Sequence, residues 1–170
     1  MCNLKRFSAF MLALVLAVFA FTGCETKYNT PKEFSREGMT ITLNEEFNEG
    51  HLDEATAYYQ GMTSILIVEK FKFEDLKSEN LSSNSTIEDF AGYITDYYSL
   101  GEESEFILGD NGEYLYTDYV RTIRNETYTF VPCLFKSGDA FWVFDFCCSE
   151  IHALSITPDF HKWASTIKFD

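Results

Sequence analysis

Basic residues are scarce in this chain. Thirteen Lys and Arg stand against 27 Asp and Glu, a formal charge of −14 at pH 7 over 170 residues. Binding a phosphate backbone needs a basic footprint, so nucleic acid is a poor partner. Histidine is scarcer still. His51, His152 and His161 are the three in the chain, and none sits in a nucleophile motif. There is no Gly-rich phosphate loop and no G-x-S-x-G elbow. Internal repeats and low-complexity stretches are missing too. The apolar run 9–21 is thirteen residues long, short of the ~20 that span a bilayer. Without a catalytic constellation or a cofactor motif, the expectation is a protein that is not an enzyme and carries no cofactor.

What is there begins with that apolar run. Lys5 and Arg6 precede it, Thr22 and Gly23 follow, and Cys24 comes next. A basic start, a short apolar stretch and small residues are the layout of a secretory signal peptide. Phe21-Thr22-Gly23-Cys24 resembles the lipobox of bacterial lipoproteins, with Phe21 where that family prefers Leu. The resemblance implies that 1–23 is removed and that the Cys24 sulfur carries a diacylglyceryl group. The domain would then be held on the cell membrane, facing away from the cytoplasm. Two acyl chains hold stably where one gives only marginal binding. Removal of 1–23 leaves 147 residues, one domain by length, and takes the charge from −14 to −16 with the loss of Lys5 and Arg6. Such a body stands off an anionic surface, and an acidic face suits a cationic ligand or a basic partner.

Residues 24–36 are polar and contain Pro31, and read as a flexible tether to a single domain at 37–170. Strands are expected at 39–43, 55–60 and 63–71. Ser85-Thr86-Ile87-Glu88 is a capping-box pattern, and Ile87, Phe90, Ala91 and Ile94 recur at helical spacing, so a helix is expected at 86–99, stopped near Gly101. A β-meander follows: 104–108, an Asn111-Gly112 turn, 113–123, an Arg124-Asn125 turn, 126–136, a Ser137-Gly138 turn and 139–148. Thr157-Pro158-Asp159 has the pattern of a helix start, with Phe160, Trp163, Ala164 and Ile167 on one face.

The last hairpin bears on architecture. With Ser137-Gly138 as the turn, Cys133 faces Trp142 and Val131 faces Phe144. Trp142, Phe144, Phe146 and Cys148 then share one face with Val131, Cys133 and Phe135. Phe141, Val143, Phe130 and Leu134 share the other. A sheet with two apolar faces must be covered on both. The same register keeps Cys133 on the order of 15–20 Å from Cys147 and Cys148 at ~3.3 Å per residue, too far for a bridge within the hairpin. The fold class is therefore α+β, an antiparallel sheet of about seven strands sandwiched by helices. The order of elements, with the opening Gly38-Met39-Thr40-Ile41-Thr42-Leu43 and the closing Trp163-Ala164-Ser165-Thr166-Ile167-Lys168-Phe169, is similar to the PsbP-type fold, found also in a Ran-binding nuclear import factor. That resemblance implies a non-enzymatic accessory or binding role.

Three places bear on chemistry. Cys147, Cys148, Glu150 and His152 form the best metal candidate, although zinc sites usually draw on two separated ligand pairs. Gly109–Glu113 superficially evokes a calcium loop but lacks the alternating oxygen ligands; it reads as a turn. Glu45, Glu46, Glu49, Asp53 and Glu54 read as a solvated loop. Tyrosine is the remaining feature, since it offers apolar area with a polar handle. A binding face at Tyr114, Tyr116 and Asp118 is expected on the long strand. The leading reading is a lipid-anchored binding or accessory module for an envelope protein or a small ligand. The alternative is a metal-binding protein or enzyme built on Cys147, Cys148 and His152.

Overall fold

The strand Ala140–Ser149 (β10) is the axis of the domain. It is buried along all but its last residue and has an ordered neighbour on each side. The computed structural model describes residues 30–53, 55–101 and 104–170. The expected leader 1–23, Cys24 with its expected lipid, the expected tether as far as residue 29, and Glu54 lie outside them. Pro31–Asp170 forms one compact unit.

Eight strands make the large antiparallel sheet, in the order β3 (Asn48–Glu49), β4 (Ala57–Gln60), β5 (Ser64–Lys72), β10, β9 (Glu126–Lys136), β7 (Leu115–Tyr116) and β6 (Ile107–Leu108), with β8 (Tyr119–Ile123) paired to β9 beside β7. A second sheet joins β1 (Pro31–Arg36), β2 (Met39–Asn44) and β11 (Lys168–Phe169). Helix α1 spans Ile87–Tyr97 and α2 spans Glu150–Ala164. The small sheet and α2 cover one face of the large sheet: Phe160 stacks on Phe146 at 5.1 Å, and Met39, Ile41 and Leu43 join the same core as Trp142 and Phe144. On the other face α1 packs Phe90, Ala91 and Ile94 with Phe141, Val143 and Leu134. The expected α+β sandwich is what forms.

Several boundaries differ from the expectation, each for a local reason. Residues 31–36, read as tether, form β1 and pair with β2 along their whole length. Pro31 takes the first position of that strand, where a missing N–H is tolerated. The last hairpin turns at Gly138-Asp139, with Ser137 N–H donating to the Ala140 carbonyl at 2.9 Å, so Cys133 faces Phe144 rather than Trp142. Asp139 is held there by Lys70 Nζ at 2.9 Å, and Trp142 Nε1 donates to Ser137 Oγ at 3.0 Å. The slip moves each partner by two residues, so every side chain keeps its expected face.

The strand expected at 113–123 is broken into β7 and β8. Its register against β9 is continuous, with Leu115 opposite Leu134 and Tyr119 opposite Phe130, which sets Thr117 opposite Pro132. Proline has no N–H for the ladder, and the pairing lapses there. The Asn111-Gly112 hairpin is present, but as a wider turn with Gly112 alone at positive φ (73°). The cap of α1 is Thr86 with Asp89, one residue later than the Ser85/Glu88 pair: Asp89 N–H donates to Thr86 Oγ1 at 3.1 Å and Thr86 N–H to Asp89 Oδ2 at 2.8 Å. Ser99, at φ 52°, supplies the left-handed stop expected of Gly101.

The last helix departs most. It starts at Glu150 and runs through Pro158 instead of starting there. Thr157 is not a cap; its hydroxyl donates to the Ala153 carbonyl at 2.7 Å.

Candidate functional site

A groove of about 1170 Å³ opens between α2 and the outer edge of the large sheet. Its sheet wall is Tyr116, Asp118 and Val120, with Thr129 and Val131 of β9 behind them. Period-two alternation puts these side chains on the face that α2 crosses. The helical wall is the stripe Glu150, Leu154, Pro158 and His161, one residue per turn on the flank of the face that buries Phe160, Trp163 and Ala164. Asp110, from the turn after β6, also lines the groove.

The groove has a mixed lining of apolar and acidic side chains. Leu154 is 98% exposed and Val120 56%, unusual for side chains of that kind in so aromatic a protein. Asp110, Asp118 and Glu150 supply negative charge. Lys162 also lines the groove, but its Nζ is 2.7 Å from Asp159 Oδ1.

Beneath the wall, Tyr114 Oη and His161 Nδ1 approach to 3.4 Å, and the Tyr116 ring meets the imidazole edge-on at 4.3 Å. Burial holds His161 below the usual histidine range, against the opposing pull of Asp110 and Asp118. Burial, with Cys133 nearby, pushes the Tyr114 phenol up to about 12, partly offset by a hydrogen bond with Ser165. The pair is thus a neutral imidazole beside a phenol that resists ionisation. Gly109 is needed where it stands, because a Cβ there would lie 2.3 Å from the Tyr114 ring.

The three tyrosine-strand residues come to one wall in different roles. Tyr116 and Asp118 line the groove, whereas Tyr114 is 1% exposed and supports the wall from behind. The metal candidate does not assemble. Cys147 and Cys148 are adjacent on β10 and point to opposite faces. Among the described residues no group of three or more His, Cys, Asp or Glu is placed to hold a metal. Cys133, Cys147 and Cys148 are buried free thiols. Gly109–Glu113 is a turn, with Gly112 N–H donating to the Gly109 carbonyl at 2.9 Å and Asn111 Nδ2 to Glu113 Oε2 at 2.9 Å. The helical wall was not foreseen, because Pro158 marks a helix start in sequence and hides the turn-spaced Glu150, Leu154 and Pro158.

No protein-family model matches the chain, and no curated sequence does. Solved structures do. A crystal structure of a Bacteroides thetaiotaomicron protein superposes with a TM-score of 0.54 and 12% identity, over 82% of this chain and 48% of that one. This chain therefore spans about half the length of that protein. The Ran-binding protein Mog1p of Saccharomyces cerevisiae superposes at 0.55 with 10% identity, over 83% and 96%. PsbP from the cyanobacterium Synechocystis sp. reaches 0.47 with 10% identity, over 87% and 96%. At such identities the likeness is one of fold, and the first two carry it.

Proposed function

We propose that this chain is a non-catalytic binding or accessory lipoprotein, anchored through Cys24 outside the cytoplasmic membrane, and that the groove between α2 and the β7–β8 edge is its recognition surface. The observation that carries the reading is the exposed Leu154 on a groove that Asp110, Asp118 and Glu150 also line. Exposed apolar surface beside charged side chains is what contact sites present. The acidic lining favours a basic partner, whose approach the net charge of the body would steer. Mog1p, which shares the fold, is a Ran-binding protein; use of the scaffold to hold another protein is what we propose here, with an envelope partner in place of Ran. The anchor rests on the residues around Cys24.

A photo-crosslinking residue placed at position 154 in living cells tests the surface. One basic envelope partner should be captured by the anchored chain and lost with Asp118→Lys. Absence of any adduct from a folded, membrane-bound protein would refute the groove. Cys24→Ser tests the anchor separately: the protein should leave the membrane fraction, and retention there would exclude lipid attachment at this residue.

A further inference from the structure

An edge strand is a template for another strand, because its outer N–H and C=O groups have no ladder partner. The edges of this domain are not equally guarded. β3, β6 and β11 are two residues long. β1 begins at Pro31 and carries Lys32, Glu33 and Arg36. β8 runs for five residues with neither proline nor lysine, and Val120 and Ile123 in it are exposed. It pairs with β9 on one side, and among the described residues no strand pairs with the other. Arg121, the charged residue of β8, is turned onto the end of α1, where its Nη2 donates to the Tyr98 carbonyl at 2.7 Å.

The register says which backbone groups are free. The turn at Arg124-Asn125, with both residues at positive φ (52° and 69°), closes on the pair Ile123 and Glu126. In a two-residue hairpin that closing pair exchanges both its hydrogen bonds, and so does every second pair beyond it. Ile123, Arg121 and Tyr119 therefore bond β9, and Val120 and Thr122 turn their N–H and C=O groups outward. No turn or loop among the described residues bonds them there. Alternation divides the side chains between the two faces. Asp118 and Val120 line the groove at α2, opposite Glu150 and Leu154. Ile123 and Arg124 line a hollow on the other face, which Ile65, Ile67 and Phe130 also line. The free edge thus runs between two concave surfaces.

We propose that the basic partner is held through an extended segment that adds to β8 as an antiparallel strand. This rests on the reading of the groove at α2 as the recognition surface, and gives its partner a conformation. An extended segment is the occupant that satisfies the outward N–H and C=O groups and meets both concave surfaces, because its own side chains alternate. Its residues opposite Val120 and Thr122 exchange both backbone bonds with them and project on the side of the groove, where Asp118 and Glu150 suit lysine or arginine. The residues between project to the other face, beside Tyr119 and Ile123, which suit apolar side chains. The segment is therefore basic and apolar in alternation, and its basic residues make the backbone bonds.

The probe is a short end-blocked peptide of alternating lysine and isoleucine with a fluorophore, titrated by anisotropy into the full chain in detergent. Two N-methylated forms keep its charge. Methyl groups on the lysine amides block the bonds to Val120 and Thr122, whereas those on the isoleucine amides point away from β8. The parent and the isoleucine-methylated peptide should bind saturably. The lysine-methylated peptide should bind roughly tenfold or more weakly, for the loss of one or two inter-strand bonds. Thr122→Pro removes an outward N–H, costs no bond to β9 and leaves the groove lining intact; it should weaken the parent peptide by a similar factor. No saturable binding, equal binding of the two methylated forms, or full affinity in a folded Thr122→Pro protein would each overturn strand addition. Should Thr122→Pro fail to fold, the methylated pair decides. The groove reading fails separately, on the absence of an adduct at position 154. An adduct there, together with equal binding of the methylated forms, would keep the groove and overturn the added strand.

Discussion

The rings of Phe90 and Phe141 lie 4.5 Å apart and 7° from parallel. Phe141 also meets Phe73 edge-on, and Phe90 meets Phe71 the same way. One aromatic stack therefore pins α1 to β10 and to the end of β5. Phe90→Ala should destabilise the domain by about 3–5 kcal/mol, the usual cost of truncating a buried aromatic. A denaturant midpoint unchanged from wild type would mean that α1 is not packed on this face.

Pro158 sits inside α2, where it cannot donate to the Leu154 carbonyl. Proline in a helix interior costs ~3 kcal/mol relative to alanine. Pro158→Ala should raise the melting temperature, by an amount corresponding to roughly 1–3 kcal/mol once the greater freedom of the unfolded chain is subtracted. A lower melting temperature would show that the helix does not run unbroken from Glu150 to Ala164.

Asp145 should make stability fall as pH rises. Its folded-state pKa of about 8 lies above the unfolded carboxylate value, so between ~3.9 and that value the folded protein holds a proton that the unfolded chain has released. Relative to Asp145→Asn, the wild type should lose up to about 1.4 kcal/mol per pH unit in that window and level off above it. Parallel stability profiles for the two proteins between pH 4 and pH 8 would contradict the burial of this carboxyl.

His161 carries the opposite sign. Burial lowers its pKa, so the unfolded chain binds the imidazole proton more readily and this residue's contribution to stability falls as pH drops below ~6.5. Asp118 opposes the shift. Asp118→Asn should therefore move the His161 titration, read by NMR, to still lower pH. Movement upward would mean that the two side chains do not share the groove wall.

The parts of the fold legible in the sequence are those governed by periodicity. Trp142, Phe144 and Phe146 on one face and Phe141 and Val143 on the other follow from alternation, and survive an error in the turn because a two-residue slip preserves parity. Helix α1 follows from its apolar spacing. The parts that were not legible depend on contacts distant in sequence. β1 is a polar stretch that becomes a strand because β2 offers it an edge. The break between β7 and β8 is set by Pro132, on a neighbouring strand. Pro158 carries the local signature of a helix start, yet the packing of Phe160 and Trp163 holds a helix that begins eight residues earlier. At the site, Tyr116 and Asp118 were within reach of pattern reasoning. Leu154 and His161 were not, because they join the groove only through the placement of α2. Asp145 could not be foreseen as buried, since Ile67 and Pro132, which stand opposite it, come from two other strands.

The small sheet has a mechanical meaning. β1 enters the domain at Pro31, paired with Asn44, and β2 is flanked on its other side by β11. The Asp170 N–H donates to the Gly38 carbonyl at 3.0 Å. Tension applied between residues 31 and 170 would therefore be carried across three short strands, and would spare the eight-stranded sheet that forms one wall of the groove. A domain pulled from these points should yield first by peeling β1 or β11 away, with the large sheet still intact.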